Sequence, residues 1–236
     1  MKPLFNEWLD FSLAMLAVWF LIYLSRPNVR KEMLWMSIIT MPLGLTEPLF
    51  VPAYWSPPSL FDLAAKTGFD IEALLFCFSI GGIGSVLYEA FFDVRHRKMS
   101  REESRKVHVL GYNFHRFAII SPILAFIPLY LFTEINPIYT GSFSMLVGGV
   151  LTAVCRPDLT RKIIVGGLMF LGIYFLFFLS FNLAFPGAVY RIWNLPALSG
   201  ILFFNVPLEE LMFAFTFGLM WSSLYEHLWD YRLHRS

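Results

Sequence analysis

The chain contains seven apolar stretches, each about as long as a membrane-spanning helix. A helix needs roughly 20 mainly apolar residues to cross the hydrocarbon core of a bilayer. The stretches have soft ends and cover about 6–25, 32–52, 71–93, 115–134, 137–155, 163–185 and 206–229. Only 15% of the 236 residues are charged, whereas soluble domains carry about 25%. The sequence therefore predicts an all-α membrane protein with seven transmembrane helices.

Basic residues lie in alternate connections between these stretches. Fifteen of the 18 lysines and arginines fall in 26–31, 94–116, 156–162 and the C-terminal tail. The other three are Lys2, Lys66 and Arg191. Basic loops tend to stay in the cytoplasm. The pattern therefore predicts a multi-pass protein of the cell (inner) membrane, with its N-terminus outside and its C-terminus in the cytoplasm.

The third and seventh stretches resemble each other when the chain is aligned with itself at an offset of 137 residues. The paired positions include Glu72 with Glu209, Gly81 with Gly218, Ser85 with Ser222, Glu89 with Glu226 and Asp93 with Asp230. Upstream, at slightly different offsets, Trp55 pairs with Trp193, and the loop beginning at Arg26 pairs with the loop beginning at Arg156. Matches that follow one another in order indicate an internal duplication.

The duplication predicts two parallel three-helix repeats joined by a linker helix. Residues 1–95 form the first repeat, 96–136 the basic cytoplasmic loop and linker helix, and 137–236 the second repeat. An even number of spans precedes the second copy, so both copies keep the same orientation. Repeats of this kind are related by an axis along the membrane normal.

Two adjacent carboxylates open the seventh stretch, in Pro207-Leu208-Glu209-Glu210. Charge is costly in a membrane-length helix. Two interpretations stay open. In the first, the pair caps the helix, because the helix dipole favours acids in the first turn. In the second, one member holds a proton, because burial and a neighbouring carboxylate both disfavour ionisation of the two together. Glu72 is the repeat counterpart of Glu209. Glu47 is a further candidate, for which a structural role at a helix end is equally open.

Aromatic and hydroxyl side chains complete the set of candidate site residues. Thr216 shares a helix face with Glu209, because residues seven apart drift by only about 20°; hydrogen bonding between helices is its other interpretation. Aromatic rings can stabilise a cation or line a substrate pocket. The aromatic candidates are Phe213, Phe217 and Trp221 on the seventh stretch, Phe76 on the third, and Trp55 and Trp193 near the interface. The two cysteines, Cys77 and Cys155, match no metal or redox motif.

The motif Pro207-Leu208-Glu209-Glu210, followed by a Phe-rich span, resembles the Pro-x-Glu-Glu/Asp signature of the non-flavin integral-membrane lycopene cyclases. These are the two-subunit bacterial enzymes, their single-chain relatives and the cyclase part of the fungal fusion with phytoene synthase. The resemblance covers nearly the whole chain in architecture, but only the third and seventh spans in motif. The first copy reads Asp70-Ile71-Glu72-Ala73 and lacks the proline and the second acid, which argues against two equivalent sites.

The resemblance implies a lycopene beta-cyclase-like intramolecular lyase, an isomerase that forms ionone-type rings at the ends of linear carotenoids. An acid protonates the terminal alkene, the neighbouring double bond attacks the cation, and the ring cation loses a proton. Glu209 and Glu210 carry over as catalytic residues by motif position, with Glu72 and Glu47 as further acids. No cofactor and no metal are expected. The expected partners are a hydrophobic carotenoid, membrane lipid, and a second copy of the chain or other carotenoid-pathway enzymes, but no nucleic acid.

Two other functions stay open at this point. A carotenoid hydratase would use the same alkene protonation, with water capturing the cation. A parallel-repeat small-molecule transporter would share the architecture, but transporters tend to place polar sites near the midplane, whereas these acids lie at helix ends. A seven-helix retinal protein is disfavoured, because the last span has no lysine to form a Schiff base.

Overall fold

The structure, a computed structural model, describes residues 6–108 and 110–235. Lys2 lies outside the described residues. The helices are α1 Glu7–Ser25, α2 Arg30–Thr40, α3 Leu63–Thr67, α4 Ile71–Phe92, α5 Arg101–Val107, α6 Gly111–Phe132, α7 Pro137–Cys155, α8 Thr160–Ala184, α9 Ala188–Ile192 and α10 Leu208–Trp229. The short strands are β1 Val94–Lys98, β2 Leu202–Phe203, β3 Val206–Pro207 and β4 Tyr231–Arg235.

Five of the described helices are long and apolar enough to cross a membrane. They are Glu7–Ser25, Ile71–Phe92, Asn113–Phe132, Pro137–Cys155 and Pro157–Ala184. Large apolar side chains on them face outward, and Phe132 and Leu183 are each 83% exposed. Such exposure suits contact with lipid rather than water. The chain is thus an all-α membrane protein, as the hydropathy pattern predicts.

The second and seventh predicted spans differ from these five. The second span begins in α2, an 11-residue helix that continues as the 3-10 segment Met41–Leu49. Pro42 and Pro48 supply no backbone N–H there, so regular α-helical hydrogen bonding stops. The seventh span forms a 22-residue helix, α10, which carries three carboxylates: Glu209, Glu210 and Glu226. The count of seven spans stays a prediction.

The first of two compact units contains the described chain up to Ile83 together with Asn136–Ile138 and Ile173–Leu211. Glycines bring its helices close together. A Cβ atom on Gly81 would lie 2.3 Å from the Thr40 hydroxyl oxygen of α2. A Cβ atom on Gly82 would lie equally close to Trp19 of α1. Small residues at such contacts are typical of helix packing in membranes.

The second unit contains Gly84–Ile135, Tyr139–Gly172 and the described chain from Met212 onward. Here α8 and α10 approach through glycines, and a Cβ atom on Gly218 would lie 2.9 Å from the Gly167 Cα atom. Lys162 forms buried ion pairs with Glu89, at 2.5 Å, and with Glu226. Strand β1 pairs with β4 in antiparallel register.

Several local conformations recur at positions that the self-alignment pairs. Arg26 and Arg156 have φ/ψ values of −126°/78° and −126°/73°. Asp93 and Asp230 both take left-handed conformations, with φ of 49° and 51°. In the first unit, Trp55 also forms an antiparallel bridge with its counterpart Trp193. These conformations agree with the predicted duplication; the arrangement of two parallel repeats stays a prediction.

Candidate functional site

The Glu210 carboxylate accepts hydrogen bonds from three buried aromatic side chains in the first unit. Its Oε1 accepts from the Tyr54 hydroxyl and, at 2.8 Å, from the Trp193 indole N–H. Its Oε2 accepts from the Tyr174 hydroxyl at 2.7 Å. Glu210 itself is only 4% exposed. Hydrogen bonds donated to a carboxylate favour its ionised form, while burial opposes it. The three donors also hold the carboxylate in one orientation.

Segments that are distant in sequence bring these donors together. The antiparallel bridge between Trp55 and Trp193 is flanked by backbone hydrogen bonds of 2.7 and 2.9 Å, and it places Tyr54 beside Trp193. The Trp193 indole N–H lies 3.1 Å from the Tyr54 hydroxyl oxygen. Tyr174 comes from α8, and Glu210 from the first turn of α10. The site therefore depends on tertiary packing rather than on one local motif.

Glu209 and Glu72, which the self-alignment pairs, both bind loop backbone. Glu209 Oε1 accepts from the Ser199 backbone N–H at 2.8 Å. Glu72 Oε1 accepts from the Leu60 backbone N–H at 2.7 Å and from the Asn6 side-chain amide at 3.0 Å. Both residues are at most 1% exposed. Each one thus anchors the segment that precedes its own helix.

A second set of carboxyl groups lies at the start of α4. We call Glu47, Asp70 and Glu72 the α4 carboxyl cluster. The Asp70 carboxyl interacts with those of Glu47 and Glu72, and all three residues are buried. Burial raises the pKa of Asp70 to about 6. Neighbouring carboxyl groups that are buried together resist full ionisation, so this cluster is suited to holding a proton.

Close packing of the 3-10 segment against α4 brings Glu47 into the cluster. A Cβ atom on Gly44 would lie 2.7 Å from the carbonyl carbon of Ala73, so only glycine allows this approach. Asp70 caps α4 through its Oδ1, which accepts from the Ala73 backbone N–H at 2.7 Å. An aspartate at this position satisfies a backbone donor that the helix leaves free.

Aromatic contacts connect the α4 carboxyl cluster with Glu210. Trp8 interacts with Asp70. Its ring centroid lies 4.6 Å from that of Trp55, which lies 5.6 Å from that of Trp193. A second series runs from Trp8 to Phe76, at 5.0 Å, and from Phe76 to Tyr174, at 6.4 Å. Electron-rich ring faces stabilise nearby positive charge.

The predicted site residues fall into two sets. Glu47, Glu72, Glu209 and Glu210 belong to the first unit, as do Trp55, Phe76 and Trp193. The remaining candidates, on α10, belong to the second unit: Phe213, Thr216, Phe217 and Trp221. There Phe217 stacks on Trp221 at 4.4 Å and lies 5.7 Å from Phe213. Thr216 donates to the Met212 carbonyl of its own helix at 2.8 Å.

Four residues in the site are absent from the sequence-based candidates: Trp8, Tyr54, Asp70 and Tyr174. Tyr54 precedes Trp55, in the segment that the self-alignment pairs with the segment around Trp193. This position could have marked Tyr54 as a candidate site residue. Asp70 lies in the first-copy counterpart of the motif. Tyr174 is one aromatic residue among many in α8, and no sequence pattern distinguishes it.

The lycopene cyclase family model matches residues 136–228 of the chain. This range contains Tyr174, Trp193, Glu209 and Glu210, but neither Tyr54 nor the α4 carboxyl cluster. It lies almost entirely within the predicted second repeat. No curated protein and no solved structure matches the chain.

Proposed function

We propose that this chain, whose residues 136–228 match the lycopene cyclase family model, belongs to that family and forms ionone-type rings at the ends of lycopene without a cofactor. The main support is the Glu210 carboxylate, buried and held by three aromatic donors. A desolvated carboxylate among aromatic rings suits a reaction that passes through a carbocation. The match to the family model supports carotenoid cyclisation; the ring type and the residue roles are part of the proposal.

The α4 carboxyl cluster donates the proton in this mechanism. A carboxyl O–H bond of the cluster breaks as a C–H bond forms at the terminal alkene, leaving a tertiary cation. The neighbouring double bond then attacks this cation and closes the ring. Close, buried carboxyl groups supply the proton because the cluster resists full ionisation. Glu47 and Asp70 are the members whose carboxyl groups interact with each other most directly.

Glu210 acts as the base. Its negative charge stabilises the ring cation, and its carboxylate takes the proton that leaves the ring, so the net reaction is an isomerisation. Exchange with water resets both sets of groups between turnovers. The rings of Trp55, Phe76 and Trp193 line the path of the cation. Glu209 is a positioning residue, because its carboxylate binds the Ser199 backbone.

The membrane arrangement belongs to the same proposal. The chain has seven spans, with its N-terminus outside and the acids of the first unit near the outer side. Basic residues lie in alternate connections between the spans, as this topology requires. The 22-residue α10 is long enough to cross the hydrocarbon core. The carotenoid reaches the site from the lipid, since a long apolar substrate dissolves there and not in water.

Expression in a lycopene-accumulating host, followed by pigment extraction and chromatography, tests the function. We expect products with cyclic ends from the unmodified chain and from the control Glu134→Gln, which changes an exposed glutamate. We expect lycopene to persist with Glu210→Gln. Hydrated products would instead indicate a hydratase, and unchanged lycopene with the unmodified chain would overturn the proposal.

A further inference from the structure

Three histidines and a cysteine form a buried cluster in the second unit. They are His108, which follows α5, His115 on α6, Cys155 at the end of α7 and His227 near the end of α10. One potential ligand atom of each lies within 4.8 Å of the others. None of the four residues is more than 5% exposed, and Cys155 and His227 are fully buried. The mechanism proposed above uses none of them.

Hydrogen bonds orient two of these rings in the way that metal-bound histidines are oriented. His108 Nδ1 lies 2.6 Å from the Ser104 carbonyl oxygen, which can only accept, so Nδ1 carries a proton and, in the neutral ring, Nε2 has the lone pair. His227 Nδ1 lies 3.2 Å from the Thr152 hydroxyl. Among the described residues, neither Nε2 atom has a hydrogen-bond partner. Histidine ligands commonly bind the metal through one nitrogen and donate the other to the protein.

Leaving such nitrogens unbound would be costly. A buried polar atom without a partner destabilises a protein by about 1–3 kcal/mol. A metal ion that accepts both lone pairs removes this cost. The polar, closely spaced donor set is therefore better explained by a bound cation than by packing alone.

We propose that His108, His115, Cys155 and His227 bind one zinc ion. Three imidazole nitrogens and one thiolate form a four-coordinate set that zinc favours. Cys155 loses its thiol proton to solvent on binding. Because four ligands from four separate segments fill the coordination shell, the ion is structural.

Nearby charges are compatible with a cation. Asp230 Oδ1 lies 3.7 Å from His108 Nε2 and, with the Cys155 thiolate, offsets the charge of the ion. Arg156, next to Cys155, is itself paired with Asp158 through contacts of 2.8 and 2.9 Å. The bound ion would fasten the segment after α5 to the ends of three longer helices, which gives it a stabilising role independent of the proposed reaction.

Metal analysis of the full chain, purified in detergent, tests the site. We expect about one zinc per chain in the unmodified protein and less than about 0.1 in Cys155→Ser and His227→Ala. The matched controls Cys77→Ser and His234→Ala alter a cysteine and a histidine outside the cluster and should keep the metal. Equal zinc in the cluster variants and the controls would overturn the site.

Cobalt substitution tests whether the cluster binds a metal ion even if a variant fails to fold. After chelation, added Co²⁺ should give the unmodified protein a thiolate-to-cobalt charge-transfer band, which Cys77→Ser retains. Chelation should also lower the melting temperature, and Zn²⁺ should restore it. An unmodified protein that contains no zinc and gives no such band refutes the proposal.

Discussion

The Glu210→Gln substitution separates the proposed chemistry from folding. Glutamine keeps the size of the side chain, and its amide oxygen can still accept from Tyr54 and Trp193, as Glu210 Oε1 does. The amide NH₂ group replaces Oε2, so the hydrogen bond from Tyr174 is lost or reversed. A hydrogen bond to a charged group contributes about 1.5–3 kcal/mol. Relief of the buried charge offsets part of that loss, so we expect the variant to fold.

The effect on catalysis should be larger. General base catalysis typically contributes about 10²–10⁴-fold to a rate, and a neutral amide neither accepts the ring proton nor offsets the cation. We therefore expect a rate at least about 100-fold lower, equivalent to about 2.7 kcal/mol of transition-state stabilisation. Glu209→Gln, at the adjacent residue, is the matched control. Its amide oxygen can still accept from the Ser199 N–H, so it should lose less than about tenfold.

The assay measures conversion of lycopene in vesicles that contain equal amounts of folded protein, judged by size-exclusion profile and melting temperature. Initial rates for Glu210→Gln, Glu209→Gln and the exposed control Glu134→Gln are compared at saturating lycopene. The assignment of Glu210 as the base fails if Glu210→Gln is folded and converts lycopene within about twofold of the unmodified rate. It also fails if Glu209→Gln loses more activity than Glu210→Gln.

Three further predictions concern the acid cluster, the topology and the product. The pKa of Asp70 is raised to about 6 by burial, so protonation favours the folded state and this stability is lost as pH rises through about 6. Asp70→Asn can still cap α4. It should therefore raise the free energy of unfolding more at pH 7.5 than at pH 4, by a difference of up to about 3 kcal/mol, as measured by thermal unfolding. Equal effects at the two pH values would contradict this prediction. Reporter fusions in loop 51–70 and at the C-terminus should lie on opposite sides of the membrane. Finding both on one side would contradict the predicted topology. A time course with lycopene should show a one-ringed intermediate, because the acids lie in one unit and process one end at a time; two rings formed together from the first turnovers would contradict this.

The sequence predicts the long helices well and the details of the site less well. The stretch 71–93 becomes Ile71–Phe92, and 137–155 becomes Pro137–Cys155, because long apolar runs with clear breaks leave little choice in a membrane. The second stretch is less regular than hydropathy predicts, because Pro42 and Pro48 act locally within an apolar run. The β1–β4 ribbon is absent from the sequence analysis, since its short, charged strands carry no clear alternating pattern.

The site shows the same limit. Glu210 is predictable because a local motif marks it, whereas its donors Tyr54 and Tyr174 come from segments that only tertiary packing brings together. The proposed zinc ligands are spread from His108 to His227 and match no local metal motif, so only the fold reveals them. Site residues that are adjacent in sequence can be predicted from a motif. Site residues that come from distant segments cannot, because only tertiary packing brings them together.

The predicted duplication and the proposed reaction together give the two copies complementary roles. Glu72 and Glu209 occupy paired positions and do the same work, each binding the loop before its helix. The neighbouring positions differ, because Asp70 pairs with Pro207 and Ala73 pairs with Glu210. In the predicted duplication, the first copy therefore has an additional acid beside the paired glutamate, and the second copy has the carboxylate that three aromatic donors hold. In the proposed reaction one copy supplies the proton and the other receives it, so neither copy alone contains both an acid and a base.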